Sequence, residues 1–414
     1  MAGKNGTSGG GGGAGGGASG TSGTGARKSP VRSGIVNRRI RCGVVGVGRM
    51  GRHHARVYHQ LPETELVGIV DANLERAGDV ADQWGCRAFS GVEKLISAGV
   101  DAVSVAVPTT HHRRVAEELL AAGVACLIEK PLAGSVEDAW AIKEAAEHST
   151  GVLMVGHIER FNPIMRALQK ERANGLPIVP RFMEVHRVSP MTFRSVDVGV
   201  VMDMMIHDLD VVLMLMGGHE PEEIYASGVP VITEHEDICN ARLVFNRPDS
   251  SDGSGGKCVA NVTASRLALK TERITRITGE NAYIKIDYAA KKGTIIRRIA
   301  NEIQMEECRE HLRKGVDLTD LKWQELVNIE NLVIDDAEPI VAEIRAFLDA
   351  VRDGAQPEID AAAGFVNVRT AQRIVEATRA DWPNWKSKPE VVIPHSLRSV
   401  PSEPRSVLQS PERE

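Results

Sequence analysis

The sequence predicts an α/β protein in which an N-terminal doubly wound parallel sheet is followed by an α+β domain with a largely antiparallel sheet. Two observations predict this class. From about residue 39 to 156, short apolar strands alternate with helices, which implies right-handed crossovers and a parallel sheet. After residue 156 the pattern changes to strands linked by turns, with few helices between them.

The strands of the first part are continuous apolar runs, as expected when helices cover both faces of a sheet. They are predicted at residues 40–46, 66–70, 101–107, 124–128 and 152–155. The helices between them are predicted at residues 50–61, 74–84, 113–122 and 136–147.

The second part contains six predicted strands, at residues 181–188, 224–232, 240–245, 258–265, 272–278 and 283–287. An insert rich in Asp, Ser and Gly at residues 248–257 predicts a hairpin loop. The apolar spacing at residues 339–351 predicts a late amphipathic helix.

This pattern divides the chain into four predicted segments. Residues 1–38 form a glycine-rich leader that we expect to be disordered, because such a composition cannot bury enough surface to offset its chain entropy. Residues 39–156 form a dinucleotide-binding domain and residues 157–386 an α+β domain for substrate binding and oligomerisation. Residues 387–414, rich in Ser, Pro, Arg and Glu, form a second disordered tail. We expect a homodimer or homotetramer that covers the exposed face of the antiparallel sheet.

Composition narrows the class of partner. The formal net charge of -5, with 25% charged residues, gives no sign of a basic surface for nucleic acid or membrane. No apolar run reaches the roughly 18–20 residues that cross a bilayer, and the leader lacks the apolar core of a secretory signal. Six widely spaced cysteines form no C-x-x-C, which favours reduced thiols. We therefore expect a cytoplasmic protein whose partner is a small molecule.

A glycine-rich turn, Gly46-Val47-Gly48-Arg49-Met50-Gly51, lies between the first predicted strand and the first predicted helix. In such a turn Gly46 permits the tight bend and Gly48 lets the backbone approach a pyrophosphate. Gly51 lets the helix pack on the strand, with its N-terminus facing the phosphates. The context predicts dinucleotide binding; the alternative is a structural turn in another doubly wound protein.

Asp71 ends the second predicted strand, about 20 residues beyond the turn. Its carboxylate would accept hydrogen bonds from the adenosine ribose hydroxyls and repel a 2′-phosphate. No Arg or Lys follows it before Arg76. The sequence therefore predicts NAD as the cofactor rather than NADP.

Three further motifs carry a family resemblance: Glu129-Lys130-Pro131 directly after a predicted strand, Val107 to His111 after the preceding strand, and Asp203 to Asp210 downstream. Together they resemble the glucose–fructose oxidoreductase/inositol dehydrogenase/MocA (Gfo/Idh/MocA) family over roughly residues 39–378. The resemblance implies a Rossmann domain and an NAD-dependent oxidoreductase. It implies cofactor contacts at the glycine turn, including Arg49 and Met50, and at Asp71, Pro108, Thr109, His111, Glu129 and Lys130.

Asp203 and His207 are four residues apart, so a helix would place them on one face. The resemblance implies that Lys130, Asp203 and His207 form the catalytic group. His207 would be the general base, Asp203 would orient the substrate hydroxyl, and Lys130 would stabilise the developing alkoxide. A metal site at Asp203, His207 and Asp208 is disfavoured because no further cluster supplies ligands, so no metal is expected.

Two narrower segments, residues 155–163 and 260–266, resemble bacterial family members that are UDP-N-acetylglucosamine 3-dehydrogenases. That resemblance implies oxidation at C3 of this nucleotide sugar. Arginine binds phosphate in a bidentate fashion, which makes Arg187, Arg194 and Arg266 candidate partners for the diphosphate. Arg160 and Asn162 follow the last parallel strand and are further candidates for substrate binding.

Other functions stay open at this point. The nearest alternative is an inositol or free-sugar dehydrogenase. A second is an NAD-dependent glycosidase that oxidises C3 transiently, and a third is a non-catalytic NAD-binding sensor. The presence of Lys130 and His207 argues against the sensor.

Overall fold

A computed structural model describes residues 38–176, 178–193, 196–247, 256–317 and 323–380 of the chain. The predicted tail at residues 387–414, nearly all of the predicted leader, most of the predicted hairpin loop at 248–257, and the candidate Arg194 lie outside these residues. No helix within the described ranges is both long and apolar enough to cross a membrane.

The first sheet has six parallel strands in the order β3-β2-β1-β4-β5-β6. Their bounds are β1 Ile40–Val45, β2 Thr64–Val70, β3 Arg87–Phe89, β4 Ala102–Val105, β5 Ala125–Glu129 and β6 Leu153–Gly156. The helices of this part are α1 Arg49–Gln60, α2 Leu74–Trp84, α3 Val92–Ser97, α4 His112–Ala121 and α5 Val136–His148. This strand order is that of a Rossmann fold, so the predicted doubly wound sheet is confirmed.

Sequence reasoning missed two short elements of this sheet, β3 and α3. The edge strand β3 is three residues long and its first two residues are exposed, so it has no continuous apolar run. Helix α3 has six residues, too few to display a periodic apolar face.

The second sheet has eight strands in the order β14-β13-β12-β11-β7-β10-β9-β8. Their bounds are β7 Pro180–Val188, β8 Glu223–Val229, β9 Ile238–Arg247, β10 Gly256–Ser265, β11 Glu272–Gly279, β12 Ala282–Asp287, β13 Lys292–Arg298 and β14 Val327–Asn331. All neighbouring pairs are antiparallel except β7 and β10, which run parallel. The predicted, largely antiparallel sheet is confirmed.

Within the described residues, five helices follow the first sheet in the chain: α6 Pro163–Ala173, α7 Ile206–Leu215, α8 Glu302–Arg313, α9 Pro339–Asp353 and α10 Ala361–Ala380. A π-helical turn, Val201–Met205, leads directly into α7. Helix α8 buries none of its residues, so its sequence lacks the apolar periodicity that would predict a helix. Strands β13 and β14 were also missed, because Lys, Arg, Asn and Glu residues interrupt the alternation of apolar and polar residues that would predict a strand.

The last two helices pack in the hydrophobic core of the first sheet, and α10 also reaches the core of the second sheet. Helix α9 buries Ile344 and Phe347 in the hydrophobic core of the first sheet, as part of the apolar face that its sequence predicted. Helix α10 contributes Phe365 to that core and Ile374 to the core of the second sheet. By packing, therefore, α9 lies with the N-terminal domain although it follows the α+β domain in the chain.

Candidate active site

The glycine turn has the geometry that its sequence pattern predicts. Gly46 has a φ of +85°, and a Cβ there would lie 2.7 Å from the backbone of Ala106. A Cβ on Gly51 would overlap the carbonyl oxygen of Gly46, so helix α1 can pack this close to β1 only with glycine. Gly48, by contrast, has no atom within 4 Å of its Cβ position. The open space beside Gly48 is where a pyrophosphate would approach the backbone.

Helix α1 begins at Arg49, and no side chain caps the N–H groups of its first turn. Gly48 offers no side-chain cap, and the first turn contains no acidic residue. Arg49 is exposed and Met50 half-buried. An uncapped helix N-terminus carries a partial positive charge and free N–H groups, which together bind phosphate. These residues therefore fit the pyrophosphate of a dinucleotide.

Asp71 is held at the end of β2 by three donors. It accepts hydrogen bonds from the backbone N–H groups of Val47 and Asn73, both at 2.8 Å, and from Nη2 of Arg76 at 2.6 Å. Burial alone would raise the pKa of Asp71, but the hydrogen bonds from Arg76, Asn73 and Val47 lower it. The carboxylate is thus charged and anchored to the glycine turn itself.

The loop after β4 carries the candidates Pro108, Thr109 and His111 in a short 3₁₀ turn. Pro108 and His111 are exposed, whereas the neighbouring His112 is buried. The His112 ring contacts the carbonyl oxygens of Val107 and Pro131, each at 3.0 Å. His112 therefore ties this loop to the loop that follows β5, although sequence reasoning had singled out only its neighbour.

The Glu129 carboxylate belongs to a chain of buried polar contacts. Its carboxylate lies 3.0 Å from Nε2 of His54 on α1, and Nδ1 of His54 lies 2.9 Å from the hydroxyl of Ser104. The Tyr58 hydroxyl completes the chain at 2.8 Å from Ser104. Burial alone would raise the pKa of Glu129, but the His54 hydrogen bond and nearby cations lower it. The contact that the structure gives Glu129 is therefore with His54 of α1.

Lys130 lies one residue beyond β5 and reaches the π-helical turn. Its Nζ donates a 2.8 Å hydrogen bond to the backbone carbonyl of Asp203 and lies 3.8 Å from the Asp203 carboxylate. Burial lowers the pKa of Lys130, against the opposing effects of Asp203 and Glu129. The structure thus brings together the two candidates Lys130 and Asp203 from positions far apart in the chain.

Asp203 lies in a π-helical turn and His207 in the α-helix α7 that follows it, whereas the spacing predicted one plain helix for both. Asn367 of α10 donates a 3.1 Å hydrogen bond to the carbonyl of Ile206, where this turn joins α7. Lys130 and Asn367 therefore bind backbone carbonyls on either side of the junction. Single π-turns within helices frequently occur at functional sites.

His207 is half-buried, with its Nδ1 buried and without a hydrogen-bond partner. Burial lowers its pKa well below the ordinary value of 6.5, and the positive charges of Lys130 and Arg187 lower it further. The imidazole is therefore neutral near pH 7, the state in which it can accept a proton.

Two of the predicted substrate arginines, Arg160 and Arg187, form ion pairs with carboxylates inside the protein. Arg160 forms a bidentate pair with Asp210 at 2.7 Å for both bonds. Arg187 pairs with Asp208 at 2.7 and 2.9 Å and with Glu159 at 3.0 Å.

The other two described candidates also have internal contacts. Arg266 is buried, donates to the carbonyl of Val198 at 2.6 Å and lies 3.3 Å from Asp237. Asn162 caps α6 and donates to Glu159 at 3.2 Å. Each of these four candidates thus has a structural contact that the sequence did not reveal.

Arg273 is a basic side chain near the site that sequence reasoning missed. On β11 it stands opposite Arg187 of β7, and it lies 3.9 Å from Glu159. Its side chain is 48% exposed. Arg273 also lowers the pKa of His207, after burial and nearer charges. It therefore presents a partly solvated guanidinium close to the catalytic candidates.

The described ranges contain no group of three or more His, Cys, Asp or Glu side chains that could hold a metal ion. Of the residues considered for a metal, Asp208 has its carboxylate bound by Arg187.

Comparison with known proteins identifies the family. Residues 40–157 match the model of an oxidoreductase family with an NAD-binding Rossmann fold, and residues 183–285 match the Gfo/Idh/MocA C-terminal domain. The chain belongs to the Gfo/Idh/MocA oxidoreductase family. This family member is an NAD-dependent oxidoreductase that acts on CH–OH groups, as its motifs implied.

Relatives of this oxidoreductase differ in substrate. The UDP-N-acetylglucosamine 3-dehydrogenase of Acidithiobacillus ferrooxidans is 41% identical over 249 residues, which are 60% of this chain and 74% of the relative. An inositol 2-dehydrogenase of Rhizobium meliloti is 30% identical over 204 residues, 47% of this chain and 59% of the relative.

Solved structures agree with the fold. A structure of the Acidithiobacillus enzyme superimposes with a TM-score of 0.69 at 34% identity, covering 83% of this chain and 98% of that one. A levoglucosan dehydrogenase solved with NADH and L-sorbose gives a TM-score of 0.68 at 19% identity, covering 83% and 97% of the two chains. The second likeness shows the shared fold.

Proposed function

We propose that this oxidoreductase oxidises a secondary hydroxyl of a nucleotide sugar, at C3 of UDP-N-acetylglucosamine. The observation that carries the proposal is the contact of Lys130 with the π-turn that holds Asp203 and leads into α7 with His207, at the carboxyl edge of a dinucleotide-binding sheet. The 41% identity with a UDP-N-acetylglucosamine 3-dehydrogenase supports the choice of sugar.

The three side chains divide the chemistry. His207, neutral because it is buried, accepts the hydroxyl proton on its imidazole. The Lys130 ammonium, held by the Asp203 carbonyl, faces the developing negative charge on the substrate oxygen. The Asp203 carboxylate accepts a hydrogen bond from the substrate and orients it. NAD, when bound at the glycine turn, supplies the hydride acceptor.

Arg273 is the residue that we assign to the diphosphate. Arg160 and Arg187 already neutralise buried carboxylates, and withdrawing either would leave an uncompensated charge in the interior. Arg273 remains 48% exposed. A guanidinium at this position can bind phosphate without breaking a buried pair.

The test measures nicotinamide absorbance on addition of NAD with UDP-N-acetylglucosamine, N-acetylglucosamine or myo-inositol. We expect reduction with the nucleotide sugar, and a primary isotope effect when the sugar carries deuterium at C3. Reduction of NAD with inositol or a free sugar, but not with the nucleotide sugar, would show that the proposed substrate is wrong. Hydrolysis of a chromogenic glycoside at substoichiometric NAD would instead support the glycosidase.

A matched pair of variants tests the diphosphate contact. Arg273→Gln should raise KM for the nucleotide sugar by about tenfold, as expected for loss of one charge-assisted hydrogen bond. Its neighbour Arg276→Gln, on the opposite face of the same strand, should leave KM unchanged. Equal KM values in both variants would remove Arg273 from the substrate site.

We further propose that residues 39–156 bind the cofactor and residues 157–386 bind substrate, in a cytoplasmic homodimer or homotetramer. The outer face of the second sheet supports the assembly, because Tyr225 and Ile329 are 60% and 50% exposed there. Sedimentation of the full chain should give twice or four times the monomer mass; a monomer at micromolar concentration would contradict this.

A further inference from the structure

Three imidazole nitrogens near Lys130 are buried and have no hydrogen-bond partner. They are Nδ1 and Nε2 of His157 and Nδ1 of His207. His157 is 1% exposed, so solvent does not satisfy it. Buried polar atoms are almost always hydrogen-bonded, directly or through ordered water. Three buried nitrogens without a partner beside a catalytic candidate therefore require an explanation.

One ion pair joins the two segments that carry the histidines. His157 follows β6, whose last residue Gly156 stands opposite Glu129 in the sheet register, so His157 lies beside Lys130 at the sheet edge. Arg160 comes three residues after His157, and Asp210 comes three residues after His207 in α7. The bidentate Arg160–Asp210 pair clamps these two segments together.

The groups that surround the histidines come from every neighbouring element. Positive charges approach as Lys130 beyond β5, Arg160 beyond β6, Arg187 of β7 and Arg273 of β11, and negative charges as Asp210 of α7 and Glu129 of β5. Burial lowers the pKa of both histidines, Lys130 lowers both further, and His157 also lowers the pKa of His207. Both rings are therefore neutral, and neither can be satisfied as a charged donor.

We propose that His157 is a positioning residue for His207: its ring accepts a hydrogen bond from the Nδ1–H of His207 through one internal water. This bond selects the tautomer of His207 that keeps Nε2 free to accept the substrate proton. The inference rests on the proposed role of His207 as base. A neutral acceptor orients the ring without a carboxylate, whose charge would raise the pKa of the base.

The first arm of the test needs neither substrate nor variant. Nitrogen-15 NMR of the full chain with NAD, labelled at histidine, reports the tautomer of His207. We expect the Nδ1–H form to dominate above the pKa of the ring. Dominance of the Nε2–H form would overturn the proposal, and this result is independent of which sugar the enzyme oxidises.

The second arm removes the acceptor. His157→Phe should lose the tautomer preference of His207 and lower kcat by about tenfold or more, because the base is no longer held in its reactive form. His157→Gln retains a hydrogen-bond acceptor and should therefore keep most of the tautomer preference of His207 and most of kcat. The exposed His219→Gln is the matched control and should change neither quantity.

Thermal melting and NAD affinity, measured on the same variants, separate positioning from folding. If His157→Phe does not fold, the smaller His157→Leu makes the same deletion. Unchanged His207 signals in the deletion variant would overturn the proposal. A changed tautomer without any sugar oxidation would leave the positioning role standing and refute the proposed function instead.

Discussion

The ammonium of Lys130 is anchored to the backbone of Asp203 rather than to its carboxylate: Nζ lies 2.8 Å from the carbonyl oxygen and 3.8 Å from the nearer carboxylate oxygen. The π-turn thus provides the lysine with a fixed acceptor that no substitution of the Asp203 side chain removes. The Asp203 carboxylate is left able to accept a hydrogen bond from a substrate.

This relationship predicts different losses for the two residues. Lys130→Met should lower kcat by about 10²–10³-fold, the cost of removing one donor from a developing oxyanion, while NAD binding is retained. Asp203→Asn should lower kcat less, because Lys130 stays on the backbone carbonyl. Single-turnover rates and NAD titrations would check both. The exposed Lys94→Met serves as control, and full activity in Lys130→Met would refute the assignment.

The activity should follow a bell-shaped pH profile. His207 works only when neutral, and its pKa lies well below 6.5, so kcat/KM should persist down to pH 6.5 and fall only at lower pH. Lys130 works only when charged, and burial lowers its pKa below 10.5, so the alkaline loss should begin below that pH. Steady-state rates in overlapping buffers would measure both limbs. An acid midpoint above pH 6.5 would contradict the neutral base.

Two glycines of the turn should respond in opposite ways to a methyl group. Gly48→Ala adds a Cβ into open space, so the protein should fold and melt normally but bind NAD at least about tenfold more weakly, because the methyl occupies the pyrophosphate position. Gly51→Ala overlaps the Gly46 carbonyl and should lower the melting temperature. Calorimetry and NAD titration distinguish the two; equal NAD affinity in Gly48→Ala and the wild type would place the cofactor elsewhere.

Cofactor choice should depend on the pair of Asp71 and Arg76. Asp71→Ser removes the charge that repels a 2′-phosphate and releases Arg76, which now donates to Asp71 at 2.6 Å. We expect the ratio of kcat/KM for NADP to that for NAD to rise at least about tenfold. Adding Arg76→Ala should reverse the gain. A single variant that does not change this ratio would show that Asp71 does not face the ribose.

Glu343 of α9 should destabilise the protein at neutral pH. Its carboxyl group is 1% exposed, neither oxygen has a partner, and burial, with the nearby Glu129, raises its pKa well above 4.5. A raised folded-state pKa means that stability is lost as pH rises from 4.5 through the folded pKa.

Glu343→Gln should therefore melt higher than wild type at pH 8, by about 2–4 °C for each kcal/mol gained. The difference should shrink toward pH 4.5. Melting curves at both pH values provide the check, with the exposed Asp349→Asn on the same helix as control. A variant less stable than wild type at pH 8 would show that the carboxylate has a stabilising partner.

Local geometry explains what could be predicted. The glycine turn, Asp71 and the alternation of apolar strands with helices depend on short-range sterics and periodicity, so the sequence alone indicated the Rossmann sheet and NAD. Lys130 could be assigned to the carboxyl edge of the sheet because it directly follows a strand. The short β3, and α8, which buries none of its residues, could not be predicted because neither has a clear apolar repeat.

The tertiary structure decided which distant charges meet. The sequence predicts substrate contacts for Arg160 and, at the diphosphate, for Arg187, yet Asp210 and Asp208 bind them in the interior, because a buried guanidinium requires a carboxylate close by. The contact of Lys130 with the π-turn has the same origin. A sequence determines which residues carry charge, periodicity and glycine; only the packing of segments separated along the chain determines which of those charges are paired and which remain available for a substrate.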